Sequence, residues 1–179
     1  MKRVNKDGFD FEFNDAVLEV IEFDSPEYHG LNHAMKAVDL VAELPNEYLY
    51  IELKDYTNHN AMLFRCPYQS KKSKVQCDKA DEYSQLRKIC ADIRSKFYET
   101  LLYWYAENRI DKPISCIAMA KMDSAMLYRL NEQLKSQIPI GIPKGVVALR
   151  WEKELFRNLV VVNPKRWNEL FAEKYCKCG

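Results

Sequence analysis

Two apolar runs, AVDLVAEL (37–44) and EYLYIELK (47–54), stand on either side of Pro45-Asn46, and they constrain the fold more than any other part of the chain. Each has the length of a strand, and the short polar break between them predicts a hairpin. When the two are paired about the centre of the turn, opposed residues have numbers that sum to about 91, and only one such register keeps the apolar set together. It puts Val38 opposite Leu53, Leu40 opposite Ile51 and Ala42 opposite Leu49 on a core face. The other face sets Asp39 against Glu52, Val41 against Tyr50 and Glu43 against Tyr48. Lys54 follows Glu52 by two residues and so shares its face.

The same register has an electrostatic consequence. Two carboxylates directly across a strand pair repel each other. Such a pair raises a pKa or gathers a cation. Lys54 relieves one charge; a hard divalent ion such as Mg²⁺ or Mn²⁺ relieves both, because carboxylate oxygens are its preferred ligands. The alternative is a solvated face on which Lys54 forms an ordinary surface ion pair.

The remaining chain supports an α/β reading. Phe9, Phe11 and Phe13 alternate with acids as in a strand, and a helix is expected from Asn14 through Phe23. Ser25-Pro26-Glu27 marks a second helix start, running towards Met35 and weakened by Gly30. Residues 55–78 lack periodicity. Leu86, Ile89, Cys90, Ile93, Phe97 and Leu101 recur at helical spacing in a segment that continues to about Asn108. Residues 114–120 form a short apolar run, as a buried strand would. Asp123 caps a helix through Met126, Leu127, Leu130 and Leu134, and residues 145–150 and 158–162 read as further strands. Asn163-Pro164 opens a terminal helix through Trp167, Leu170 and Phe171. Strands interleaved with helices in 179 residues fit one domain, 1–179.

The net charge of +1 excludes a protein that holds nucleic acid by overall charge alone, though not one with a local basic groove. The start, MKRVNKDGFDFEF, has no apolar core of a secretory signal, and no apolar run reaches membrane-spanning length. Six cysteines without an export signal read as reduced thiols, so a cytoplasmic protein with no membrane association is expected.

Asp39 followed by Glu52-Leu53-Lys54 resembles the signature of the PD-(D/E)XK nuclease superfamily: an acid on one strand, then (D/E)-x-K on the next. Val38 stands where many members carry proline. The motif covers about twenty residues, and the order helix, hairpin, long helix, strand extends a looser match over roughly the first 120. The resemblance implies a restriction-endonuclease-like core, with a mixed central β-sheet flanked by helices. It also implies a metal-dependent endonuclease or phosphodiesterase, a hydrolase of nucleic acid, with DNA favoured over RNA. Asp39, Glu52 and the carbonyl of Leu53 would hold Mg²⁺ or Mn²⁺, and Lys54 would act on the attacking water. A further acid on a preceding helix would be Glu19, Glu22 or Glu27. Gln85, in Tyr83-Ser84-Gln85-Leu86, stands near where RecB-like members carry a glutamine.

Other features are weaker pointers. Lys71, Lys72 and Lys74, with Phe64 and Tyr68 nearby, offer phosphate and base contacts or simply a solvated loop. Arg87, Lys88, Arg94 and Lys96 line a groove or solvate a helix face. His29 and His33 have i, i+4 spacing but no third ligand. Cys176 and Cys178 join Cys66 and Cys77 in a four-thiolate site or stay free thiols. Phe97, Tyr98, Tyr103, Trp104 and Tyr105 read as core and dimer material, since small members of the superfamily often form homodimers. The rival to an enzyme is a non-catalytic subunit that uses a nuclease-like fold to bind nucleic acid or a partner protein.

Overall fold

The computed structural model describes residues 1–30, 34–56, 79–142 and 151–179. A five-stranded mixed sheet forms the centre, with strand order β3-β4-β5-β6-β7. The chain enters through the hairpin β1 (Lys2–Lys6) and β2 (Phe9–Phe13), then lays down β3 (Glu19–Glu22) and the single-turn helix α1 (Pro26–His29). Strands β4 (Leu40–Glu43) and β5 (Tyr48–Asp55) follow, then the long helix α2 (Lys79–Ala106). The crossover strand β6 (Ile114–Lys121), α3 (Ser124–Gln137), β7 (Asn158–Val162), α4 (Pro164–Phe171) and β8 (Cys176–Cys178) complete it. Strands β3, β4 and β5 run antiparallel in turn, whereas β5, β6 and β7 are parallel. Parallel neighbours need a crossover, which α2 supplies between β5 and β6 and α3 lies between β6 and β7.

Both faces of the central sheet are covered, which explains why the strands read as near-continuous apolar runs. One face packs Val41, Tyr48, Tyr50, Cys116 and Ala118 under α2 and α3, through Leu86, Ile93, Phe97, Trp104, Leu130 and Leu134. The opposite face packs Leu40, Ala42, Leu49, Ile51, Leu53 and Met119 against a second sheet, β1-β2-β8, and against α4. Phe9, Phe11 and Phe13 of β2 and Trp167 of α4 fill that layer. The Trp167 indole N–H donates to the Cys176 carbonyl at 2.9 Å, and Asn168 exchanges two hydrogen bonds with the Cys178 backbone, so α4 and β8 are stapled together.

The hairpin register is the expected one: Leu40 faces Ile51, Val41 faces Tyr50, Ala42 faces Leu49 and Glu43 faces Tyr48. Three expectations need correction. The helix expected from Asn14 to Phe23 is a turn followed by β3, because Val20 and Ile21 pair with Ala42 and Val41 and are buried there. The segment expected to run helically towards Met35 stops at His29, since Gly30 takes a left-handed conformation at φ 63°. Val38 does not share the face of Leu53. Regular pairing begins at Leu40, and Val38 joins the cluster under α2.

That departure is enforced from α2. The Val38 N–H donates to Thr100 Oγ1 at 3.0 Å, and the Lys36 N–H donates to the Glu99 carboxylate. The Thr100 hydroxyl is thus the acceptor for a buried backbone donor. Thr100→Val should cost about 1–3 kcal/mol in chemical denaturation, the penalty of leaving that N–H unpaired. An unchanged midpoint would show that residues 36–38 are held by other contacts.

The β1–β2 hairpin closes on Asp7-Gly8, whose φ values of 50° and 79° are both in the left-handed region, as a two-residue turn matched to strand twist requires. A Cβ at residue 8 would also approach an Asp55 carboxylate oxygen to 3.2 Å. Gly8→Ala is therefore expected to lower stability by about 1–2 kcal/mol. A melting temperature at or above that of the wild type would contradict this reading of the turn.

Candidate active site

On β5, residues 48, 50, 52 and 54 face α2, and the face changes character halfway along. Tyr48 and Tyr50 lie among rings; Glu52 and Lys54 carry charge. The parallel register sets Ala118 beside Glu52 and Ala120 beside Lys54. Small side chains on β6 thus flank the charged end of β5.

Glu52 is wholly buried and Asp39 is 2% exposed. Asp39 sits just before the regular pairing of β4. Its Oδ2 accepts from the Leu53 N–H at 2.6 Å, and its own carbonyl accepts from the Phe23 N–H at 3.0 Å, so both neighbouring strands fix its position. From β5, Lys54 reaches Glu52 Oε1 at 2.8 Å and Asp92 Oδ2 at 3.1 Å. From α2, Lys96 reaches the same Glu52 oxygen at 2.8 Å and Asp39 Oδ1 at 3.3 Å. Lys36 closes the outer side, with its Nζ 2.7 Å from Asp92 Oδ1. Both ammonium groups pair with Glu52 Oε1, whereas Glu52 Oε2 has no hydrogen-bond partner among the described residues.

The electrostatics follow from burial. Loss of water pushes Glu52 up to about 8, and the Asp39 charge adds to this, while Lys54 and Lys96 oppose it. Burial likewise holds Asp39 above the usual carboxylate range, against the pull of Lys96 and the Leu53 N–H. Burial works against the charged forms of Lys54 and Lys96 too, but Glu52 with Asp92, and Glu52 with Asp39, hold their ammonium groups above the ordinary value. Asp92 moves the other way: despite partial burial, Lys36 and Lys54 keep it below the usual range. Three lysines and three acids thus make up the cluster.

The structure thus brings Asp39, Glu52 and Lys54 together, with Leu53 supplying a backbone N–H to Asp39 while its side chain packs on the opposite face. Asp92 was not singled out in the sequence and Lys96 only as one of several basic residues on α2; the structure brings Asp92 to Lys54 and Lys96 to Asp39 and Glu52. Asp24 is a further acid beside the site: its charge raises the Asp39 pKa, and its carboxylate pairs with Lys6 at 2.7 Å.

Two of the three upstream acids are not helical as expected. Glu19 and Glu22 lie at the two ends of the edge strand β3, both half-exposed, because β3 occupies the segment where a helix was anticipated. Glu27 is exposed on α1. Gln85 stands on α2 seven residues before Asp92, and its Oε1 is buried without a hydrogen-bond partner among the described residues. Lys71, Lys72 and Lys74, together with Phe64, Tyr68, His33, Cys66, Cys77 and residues 145–150, lie outside the described residues.

Elsewhere, Cys90, Cys116, Cys176 and Cys178 are buried free thiols. Phe97 and Trp104 are core residues, whereas Tyr105 is exposed. Among the described residues, no cluster of three or more His, Cys, Asp or Glu is arranged to hold a metal ion, and no helix is long and apolar enough to cross a membrane. Comparison with protein-family models, with curated proteins and with solved structures gives no match for this chain.

Proposed function

We propose that this chain is a divalent-metal-dependent phosphodiesterase with a restriction-endonuclease-like core, hydrolysing nucleic acid, DNA in preference to RNA. The observation that carries this reading is a pair of buried carboxylates, Asp39 and Glu52, in which Glu52 Oε2 lacks a hydrogen-bond partner among the described residues. A buried carboxylate oxygen without a partner is costly, so its retention points to a ligand. The order of hairpin, long helix and parallel strand agrees with the resemblance read from Asp39 and Glu52-Leu53-Lys54. The edge strand in place of a preceding helix departs from it.

The donor set suits Mg²⁺ or Mn²⁺, since both acids offer hard oxygens and one of these is unsatisfied. Asp39 and Glu52 would hold the ion, with the Leu53 carbonyl as the third donor that the resemblance implies. Such an ion, when bound, supplies phosphate neutralisation and acidifies water for attack.

The rest falls to the chain's own residues. The Leu53 N–H keeps Asp39 aimed across the strand pair. Asp92 tethers Lys54 so that its ammonium stays beside Glu52 instead of swinging to solvent. There it orients water and stabilises negative charge developing on phosphate oxygens. The test is cleavage of duplex DNA and of RNA in Mg²⁺ or Mn²⁺ by wild type, Glu52→Gln and Lys54→Ala. Equal cutting by all three would remove these residues from the reaction.

One observation favours a second reading. Lys96 already contacts both acids, so the site holds a cation of its own without a metal. A non-catalytic subunit that binds nucleic acid or a partner protein would have that property. Wild-type protein that binds nucleic acid but neither cleaves it nor takes up Mn²⁺ would favour this alternative.

A further inference from the structure

Lys96 lies outside the Glu-x-Lys tripeptide and comes from a different element, yet its ammonium contacts both acids at once. Lys54, by contrast, reaches only one of the two and is tied back by Asp92 on its other side. The Lys96 side chain is 18% exposed, so it comes in from the accessible edge of α2 and has somewhere to go. Its flexible four-carbon stem moves more readily than a strand-borne carboxylate.

We propose that the Lys96 ammonium occupies the seat of the divalent ion in the metal-free protein, and that metal entry displaces it outward. The inference rests on the metal-dependent reading and adds to it a residue that governs access. Competition for the same two carboxylates favours exchange. A small divalent ion sits at roughly 2.1 Å from its carboxylate oxygens. The ammonium stands 2.8 and 3.3 Å from oxygens of the same two side chains. Two cations so close in a buried site repel strongly. Lys96 thus has two arrangements: inward, neutralising the acids so that the empty site stays folded, and outward, presenting its charge where an anionic substrate arrives. Metal loading and phosphate capture are coupled through one side chain.

Calorimetry with Mn²⁺ alone, on folded wild type, Lys96→Met, Lys96→Gln and Glu52→Gln, tests this. Both Lys96 variants should bind Mn²⁺ more tightly by on the order of tenfold or more, because the ion no longer has to expel a competitor. Glu52→Gln should bind it weakly or not at all. A second readout needs only wild-type protein: amine-specific acetylation, followed by mass spectrometry, should modify Lys96 faster with Mn²⁺ than without it. It decides the matter if the Lys96 variants fail to fold.

Mn²⁺ affinity equal to or below that of wild type in folded Lys96 variants, or Lys96 labelling that is unchanged or slowed by Mn²⁺, would overturn the exchange while leaving a metal site in place. Absence of Mn²⁺ binding in wild type and Lys96 variants alike would overturn the metal reading itself, and the exchange with it.

Discussion

Glu52→Gln is expected to reduce phosphodiester cleavage by on the order of a thousandfold, while the metal-free protein keeps or gains stability. The two effects have one origin. Glu52 is wholly buried, and its carboxyl is pushed up to about 8 from a reference of 4.5. The folded state therefore holds a proton that the unfolded chain releases. A carboxyl raised in this way contributes stability that is full below pH 4.5 and is lost as pH climbs through about 8. The loss across that window is on the order of 3–5 kcal/mol for this one group.

Gln removes the titration, so denaturation of the variant should show a flatter pH profile between 4.5 and 8. Lys54 keeps Asp92 and Lys96 keeps Asp39, so neither ammonium is stranded. An acid retained at a cost to stability and needed for cleavage is the pattern of a functional site. If Glu52→Gln lowered stability as well as activity, Glu52 would be acting as a structural partner for the lysines.

The largest loss of stability is expected at Trp104. Its ring is wholly buried and meets Tyr48 at 4.7 Å, Tyr50 at 5.6 Å and Phe23 at 6.0 Å between centroids, all edge to face. The Arg109 guanidinium lies 4.8 Å over it. Trp104→Ala removes the anchor joining α2 to β5 and to Phe23 just after β3, at about 3–5 kcal/mol. Against a total stability of about 5–15 kcal/mol for a native protein, such a loss brings the fold near its limit. Trp104→Phe should cost much less, since the indole N–H has no hydrogen-bond partner among the described residues and its removal relieves an unpaired donor. Equal midpoints for the two variants in urea would contradict this account.

The sequence disclosed the hairpin register because only one pairing keeps Leu40, Ala42, Leu49 and Ile51 on a common face. It disclosed α3 and α4 through local caps, Asp123 and Asn163, which act within a few residues of themselves. It did not disclose β3, because Val20 and Ile21 fit either period and are settled only by pairing with Val41 and Ala42. Nor did it disclose the first hairpin, because the Lys2–Lys6 strand lacks an apolar pattern and is defined by its partner across the Asp7-Gly8 turn. Asp39, Glu52 and Lys54 were visible as one cluster because Asp39 directly precedes β4 and the other two lie on its partner β5. Asp92 and Lys96 come from a helix roughly forty residues away in sequence, and nothing local says which turn of α2 crosses Glu52.

Ala118 and Ala120, the β6 neighbours of Glu52 and Lys54, give the cluster a wall without charge of its own. Both alanines are buried, so on the β6 side only methyl groups stand next to Glu52 and Lys54. Bulkier side chains there are expected to crowd the charged groups of the cluster. Loss of function in a chain of this design can thus begin with an apolar substitution on a neighbouring strand, every charged residue remaining in place.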